Sequence, residues 1–158
     1  MDKLYLFTDG SVHVQSKVGY GACLVLDENE MDTENLKQRI QTKRFENTSS
    51  TRLELQTLLW ALSEIEKNDI KVLVYTDSQN IAQLVDRRAR LEENNFCSKG
   101  GKLLKNADLY KQFYELFDSL NCKIIKVKGH QPTRVKDHIE RIFSLVDKAS
   151  RSALRSKN

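Results

Sequence analysis

The hydrophobic period of the sequence changes near Thr51, and this change restricts the folds available to the chain. Before it, Lys3–Asp9 (KLYLFTD) and Tyr20–Asp27 (YGACLVLD) have the β-rich composition of strands. After it, apolar residues recur at intervals of three and four, the period of an amphipathic helix, until near Asn68. These residues are Leu55, Leu58, Leu59, Leu62 and Ile65. The chain therefore begins with strands and continues with helices.

The remaining segments complete an α/β order. The first strand is expected to stop at the turn Asp9-Gly10-Ser11, and Leu36–Glu46 is expected to be a third strand at an exposed edge. Further strands are predicted at Val72–Thr76 and Lys123–Val127, and helices at Ser78–Glu93, Ala107–Leu120 and Ile139–Leu154. This order predicts a five-stranded mixed sheet, antiparallel in its first three strands and parallel afterwards, flanked by helices.

Length and composition limit the class of protein. A chain of 158 residues, 39% of them hydrophobic, suits one domain with a single core over residues 1–158. Neither a secretory signal nor an apolar run of about 18 residues is present, so we expect a cytoplasmic protein. Cys23, Cys97 and Cys122 form no C-x-x-C pair, which argues against a zinc motif or a disulfide framework.

Charge is distributed unevenly along the chain. Residues 1–83 carry 9 basic and 13 acidic side chains, a net charge of −4, whereas residues 84–158 carry 17 and 9, a net charge of +8. A basic half suits a polyanionic partner such as nucleic acid, although charged faces are more often simply solvated.

Two aspartates directly follow predicted strands. Asp9 precedes Gly10 and Asp77 precedes Ser78, so both carboxylates are expected at strand ends, where ligands gather in such sheets. Each has a simpler interpretation, because Asp before Gly is ordinary turn chemistry and Asp77 or Ser78 could cap the following helix. The residues alone leave both interpretations open.

Two further acids lie in predicted helices. Glu54 lies beside the apolar stripe, at the border of the core, where an unpaired charge is unfavourable. It could instead complete a capping box with Thr51. Asp147 lies in the last helix, and the simplest interpretation is a solvated acid paired with Arg151.

Four convergent carboxylates would serve a particular chemistry. Mg²⁺ prefers carboxylate and water oxygens, and two such ions about 3.5–4 Å apart can stabilise the attacking and leaving oxygens of phosphodiester hydrolysis. His130, at the end of the last strand, is by itself more typical of a solvated loop.

Short motifs occur along nearly the whole chain. They are TDGS at Thr8–Ser11, TRLEL at Thr51–Leu55, YTDSQ at Tyr75–Gln79, LKNADLY at Leu104–Tyr110, VKGH at Val127–His130 and VDKASRSAL at Val146–Leu154. In this order they resemble the ribonuclease H family, of the type 1, bacterial-like kind. The resemblance implies the ribonuclease H-like fold and an endonuclease that cuts the RNA strand of an RNA/DNA hybrid.

The resemblance also implies roles for the acids. Asp9, Glu54, Asp77 and Asp147 would ligate two Mg²⁺ ions, or Mn²⁺ in their place. His130 would assist proton transfer or product departure. The products would carry 5′-phosphate and 3′-hydroxyl ends, and the protein is expected to be a monomer.

A set of nucleic-acid-binding residues follows from the same resemblance. Some would meet the hybrid in its minor groove, where 2′-hydroxyls distinguish RNA from DNA, and others would form a basic protrusion against the DNA strand. The minor-groove set is Ser49, Ser50, Thr51 and Gln79, and the basic set is Arg87, Arg88, Arg90, Lys99, Lys102 and Lys105. Ser11 is a further nucleic-acid-binding residue implied by the resemblance.

The chain departs from the family pattern in two places. The tryptophans common in the basic protrusion are missing, since Trp60 is the only tryptophan and has a core-like position. The segment between His130 and Asp147 is long, which leaves Glu140 or Asp137 as alternative fourth ligands. Two alternative functions also remain: a DNA-acting nuclease of the same fold, or a hybrid-binding module without catalysis.

Overall fold

The computed structural model describes residues 3–31, 34–66, 69–128 and 137–157. Within these ranges the strands are β1 (Lys3–His13), β2 (Val18–Asp27), β3 (Gln41–Phe45), β4 (Lys71–Thr76) and β5 (Asn121–Lys126). The helices are α1 (Ser50–Ser63), α2 (Gln79–Glu93), α3 (Ala107–Ser119) and α4 (His138–Lys157). No helix of the described residues is both long and apolar enough to cross a membrane.

The strands form one mixed sheet in the order β3-β2-β1-β4-β5. β1, β2 and β3 pair antiparallel, while β4 pairs parallel with both β1 and β5. The predicted fold class, a five-stranded mixed sheet with an antiparallel start, is confirmed. The crossovers that parallel pairing requires are made by the helical segments that the change of period indicates.

Strand β1 continues to His13, so the turn predicted at Asp9-Gly10-Ser11 is wrong. β2 pairs with β1 as far as His13 opposite Val18, and this pairing overrides the local turn preference of Asp-Gly. Gly10 serves helix packing instead, because a Cβ there would lie 2.9 Å from Leu53 Cδ2 of α1. The glycine allows α1 to approach the sheet closely.

Two other predicted boundaries differ from the structure. In the segment predicted as the third strand, only Gln41–Phe45 is extended, and Leu36–Arg39 forms a 3₁₀ helix that buries Leu36 in the core beneath α4. Helix α1 ends at Ser63 rather than near Asn68, which lies outside the described residues. The apolar period misled the prediction because Ile65 packs against the core from beyond the helix end.

Successive side chains of β1 point to opposite faces of the sheet and pack in two separate hydrophobic clusters. Leu6 points to the face covered by α1 and α3, where it packs with Leu55 and Phe113. Phe7 points to the opposite face, in a cluster with Val146 of α4. Side chains at odd positions of β1 therefore face α4, and Asp9 is the next of them.

Candidate active site

The register of the sheet brings two acids side by side. Parallel pairing of β1 with β4 ends at Phe7 opposite Tyr75. The same register continued by two residues places Asp9 opposite Asp77, which follows the last residue of β4, Thr76. Phe7 and Tyr75 both belong to the core on the α4 face, so the two aspartates are placed on that face.

Helix α4 brings Asp147 to the same place. Val146 is fully buried against the sheet, and Ser150, also fully buried, has its Oγ 2.9 Å from Ser11 Oγ of β1. Asp147 lies between these two anchors, close enough to Asp9 for its carboxylate to raise the pKa of Asp9. It also accepts a hydrogen bond from Arg151 Nη2 at 2.9 Å. The predicted pairing with Arg151 and the convergence on Asp9 therefore coexist.

The alternative fourth acids lie elsewhere. Asp137 Oδ1 accepts the backbone N–H of Glu140 at 2.8 Å, at the start of α4. Glu140 precedes Asp147 by seven residues, which is about 10 Å along a helix. The structure thus brings Asp147, and neither of the other two, beside Asp9.

The electrostatics of Asp9 are the most perturbed in the site. Its pKa is raised to about 8, first by burial and then by the negative charge of Asp77. A hydrogen bond with Asp147 and the charge of that residue raise the pKa further, while the N–H of Gly10 opposes the shift. A buried carboxylate next to two others holds a proton unless a cation compensates the charge.

Glu54 reaches the site from the opposite face of the sheet. Helix α1 begins after Ser49, whose side chain accepts the Arg52 N–H at 3.3 Å, so the capping box with Thr51 does not form. The Glu54 carboxylate instead accepts a hydrogen bond from Ser78 Oγ at 2.5 Å. Burial raises the Glu54 pKa, the Ser78 hydrogen bond lowers it, and the charge of Asp77 raises it.

Ser78 joins these elements, and reasoning from the sequence missed this role. Its hydroxyl accepts the Ile81 N–H at 3.2 Å as the N-cap of α2, while donating to Glu54. Its own N–H donates to Thr76 Oγ1 at 3.1 Å. The sequence signal was the position of Ser78 directly after Asp77, which by itself indicates only a cap.

The chemistry of the donor atoms suits a hard divalent cation. All four acids offer carboxylate oxygens, which Mg²⁺ and Mn²⁺ prefer. Among the described residues, no group of three or more His, Cys, Asp or Glu side chains is arranged to hold a metal ion. The fit to such an ion therefore rests on the chemistry of the donor atoms and on Asp9, where a bound cation would offset the repulsion from the neighbouring carboxylates.

The predicted minor-groove residues gather around this edge. Ser49, Ser50 and Thr51 form the start of α1, one turn before Glu54. Gln79 is exposed at the start of α2, two residues after Asp77. Ser11 is engaged with Ser150, as described above. His130 lies outside the described residues.

The predicted basic protrusion lies on α2 and the loop that follows it. Arg87, Arg90 and Lys99 line a cleft between helix and loop. Lys102 and Lys105 are exposed on the same loop. Trp60 is remote from it, on α1, where its indole N–H donates to Glu64 Oε1 at 3.2 Å.

Arg88 differs from its neighbours in the basic set. Its guanidinium donates to both carboxylate oxygens of Asp118, at 2.6 and 2.7 Å, and lies 4.8 Å from the ring centroid of Tyr114. A bidentate pair stacked on an aromatic ring holds the guanidinium in place. Arg88 therefore joins α2 to α3 by an ion pair. Arg87 donates to the amide oxygen of Asn80 at 3.0 Å and lies 5.7 Å from the ring centroid of Tyr110, and it has no carboxylate partner among the described residues.

Comparison with known proteins gives concordant results. A family model described as RNase H matches residues 1–149. Ribonuclease H of Caldicellulosiruptor saccharolyticus is 29% identical over 145 residues, covering 90% of this chain and 94% of that protein. The prototype foamy virus (PFV) protease–reverse transcriptase matches 98% of this chain with a TM-score of 0.76 and 23% identity, although this chain spans only 21% of it. The PFV RNase H domain matches with a TM-score of 0.73 and 22% identity, covering 94% of this chain and 92% of that domain. The two structures share this fold.

Proposed function

The chain belongs to the RNase H family and is therefore a ribonuclease H, and from this premise we propose that it cuts the RNA strand of RNA/DNA hybrids by two-metal-ion hydrolysis. The observation that supports the proposal most strongly is the convergence of Asp77 and Asp147 on Asp9. Three carboxylates at one partly buried point are unfavourable without a cation and favourable with one.

We propose that Asp9, Glu54, Asp77 and Asp147 hold two Mg²⁺ ions, with Mn²⁺ able to substitute. When bound, the ions would supply charge stabilisation for the attacking and leaving oxygens. The protein itself would orient the carboxylates that hold the ions. Ser78 fixes the Glu54 carboxylate, and Arg151 restrains that of Asp147. Preorganised charge of this kind reduces reorganisation during the reaction.

The proposed reaction is hydrolysis of a phosphodiester. A water oxygen forms a bond to phosphorus, the bond from phosphorus to the 3′-oxygen breaks, and that oxygen takes up a proton. The products carry a 5′-phosphate and a 3′-hydroxyl. The proposed role of His130, in proton transfer or product departure, rests on the sequence resemblance.

We propose that the hybrid lies along the edge formed by the starts of α1 and α2. Ser11, Ser49, Ser50, Thr51 and Gln79 would meet its minor groove, where 2′-hydroxyls identify the RNA strand. Arg87, Arg90 and the loop lysines would attract the DNA strand, while Arg88 would support the protrusion through Asp118. We further propose that the chain acts as one domain, as a monomer, in the cytoplasm.

The test is a comparison of substrates. An RNA/DNA hybrid, a duplex RNA and a duplex DNA are incubated with the protein, with Mg²⁺ and with a chelator, and the ends are mapped. Cleavage of the hybrid alone, dependent on Mg²⁺, is the expected result. Preferential cleavage of duplex DNA would favour a DNA-acting nuclease, and binding without cleavage would favour a non-catalytic module. In the same assay, Asp9→Asn should be inactive, and Asp27→Asn, which changes the cap residue at the end of β2, is its matched control.

A further inference from the structure

The outer face of α4 carries a row of basic side chains, which we call the α4 stripe: Arg141, Lys148 and Arg155. The three are spaced by seven residues and are all exposed. Seven residues make nearly two helical turns, so the three side chains share one face and span about 21 Å along the axis. Ile142, Val146 and Ala153 are buried on the opposite face of the helix.

The α4 stripe shares its face of the helix with no acidic residue of α4. Positions beside it on the same face are occupied by Ser144 and Ser152, and both acids of α4 lie off this face. Among the described residues, none of the three stripe side chains forms an ion pair. Other arginines are paired: Arg39, Arg44, Arg52, Arg88 and Arg151 each contact a carboxylate. Within the part of the chain that the structure describes, the positive charge of the stripe is therefore not compensated by a carboxylate.

The position of the stripe follows from the docking of α4. The helix packs over β1 beside Asp9 and reaches the start of β2, where Ala153 contacts Val18 and Tyr20. Lys148 follows Asp147 directly and is thus rotated by about 100° from it around the helix axis. The stripe runs beside the acidic centre but faces away from the sheet.

We propose that the α4 stripe binds the phosphates of a single strand that extends from the hybrid. The inference goes beyond the proposed function and rests on it for the position of the hybrid. The persistence length of a DNA duplex is about 150 base pairs. A short duplex bound at the acidic centre is therefore too stiff to bend onto a surface that is rotated from the centre by about 100°. A single strand is flexible enough to do so.

The composition of the face argues for phosphate rather than for other polyanions. A membrane-bound helix needs an exposed apolar face, but the apolar face of α4 is buried against the sheet. A protein interface normally has an apolar or aromatic centre, whereas the stripe consists of basic residues and serines. Phosphate backbones are attracted by charge alone.

The experiment compares two probes and two variants by fluorescence anisotropy at several salt concentrations, with a chelator present to suppress cleavage. The probes are a short blunt hybrid and the same hybrid with a single-stranded DNA extension. The test variant is R141Q/K148Q/R155Q. The control, K37Q/K71Q/K123Q, removes the same charge from 3₁₀-helix and strand positions outside α4. Glutamine favours helix, and circular dichroism verifies that both variants fold.

In the parent and control proteins, we expect the extension to steepen the dependence of log K on log salt by about 2, as three single-strand phosphate contacts predict. The test variant should lose this increment while binding the blunt hybrid like the control. The proposal is overturned if the extension adds no slope in the parent protein, or if both variants lose the added slope equally. If the parent protein did not bind the blunt hybrid, the proposed function would be contradicted instead. The α4 stripe could then still be tested with an unpaired DNA strand alone.

Discussion

Asp9 is the acid of the site whose pKa is raised most by burial and by neighbouring carboxylates. Its pKa of about 8 lies above the ordinary value of 3.8, so the folded, metal-free protein binds more protons than the unfolded chain between these values. Stability is therefore lost as the pH rises through this window. The same charge that destabilises the metal-free fold would attract the proposed cation, a trade between stability and activity that is common at active sites.

We expect Asp9→Asn to abolish cleavage and to stabilise the metal-free protein. The gain should be larger at about pH 8 than at about pH 5, because the destabilisation caused by the raised pKa of Asp9 grows as the pH rises from 3.8 towards about 8. Each 1 kcal/mol of relieved repulsion raises Tm by about 2–4 °C in a chain of this size. Thermal unfolding of both proteins with a chelator at the two pH values measures the gain in melting temperature. Equal gains at the two pH values would contradict the raised pKa of Asp9.

Ser78 acts on Glu54 as a positioning residue. In Ser78→Ala, Glu54 loses a hydrogen bond that lowers its pKa, so the acidic limb of the pH–activity profile should move to higher pH. The loss of the N-cap should also reduce stability by about 1 kcal/mol. Asp27→Ala, which removes the cap of the 3₁₀ helix Glu28–Glu30, is the control for stability alone. A reduced stability with an unmoved limb would restrict Ser78 to a structural role.

At the scale of the elements, the docking of α4 decides which acid completes the site. We expect Asp147→Ala to reduce cleavage by about 10²–10³, the typical effect of removing one electrostatic stabiliser. Glu140→Ala and Asp137→Ala should retain activity within a few-fold, since these acids cap α4 away from Asp9. Single-turnover rates with Mg²⁺ compare the three variants, and the opposite ranking would show that Glu140 or Asp137, rather than Asp147, completes the site.

Helix α2 carries arginines with two different expected roles, phosphate binding and ion pairing within the protein. Arg87→Gln with Arg90→Gln should flatten the salt dependence of hybrid binding, by about one unit for each phosphate that the protein no longer neutralises. Arg88→Gln should leave that slope unchanged and lower the melting temperature, because it breaks the bidentate pair with Asp118. A weaker salt dependence of hybrid binding in the Arg88→Gln variant would show that Arg88 contacts a phosphate.

For the whole molecule, the proposed cation joins parts that are distant in the chain. Glu54 comes from α1 on one face of the sheet, and Asp147 comes from α4 on the other. Binding to such a site stabilises the entire fold rather than one segment. The empty protein should accordingly be the less stable form.

We expect Mg²⁺ to raise the melting temperature of the parent protein. A concentration one hundred times the dissociation constant corresponds to about 2.7 kcal/mol for one site. Asp77→Asn should remove most of this gain, whereas Asp137→Asn should keep it. Calorimetry in Mg²⁺ and in a chelator measures the difference, and an equal gain in both variants would place the ion outside the carboxylates.

The order of the main strands and helices was predictable from local sequence patterns. Periods of two and of three to four residues depend on neighbours along the chain, so α2 (Gln79–Glu93) and the core of β4 were predictable within a residue or two. The position of Asp77 after β4 was predictable for the same reason. Where local signals conflicted with pairing, as at Asp9-Gly10, the prediction failed because β2 extends the strand.

The contacts between side chains of different elements, in contrast, depend on how the elements pack. The proximity of Asp9 to Asp77 depends on the register of β1 against β4, and that of Asp147 on contacts such as Ser11 with Ser150, 139 residues apart. The bond from Ser78 to Glu54 and the pairing of Arg88 with Asp118 also join separate elements. No local pattern encodes such contacts, because they result from the packing of whole faces whose energy is shared among many residues.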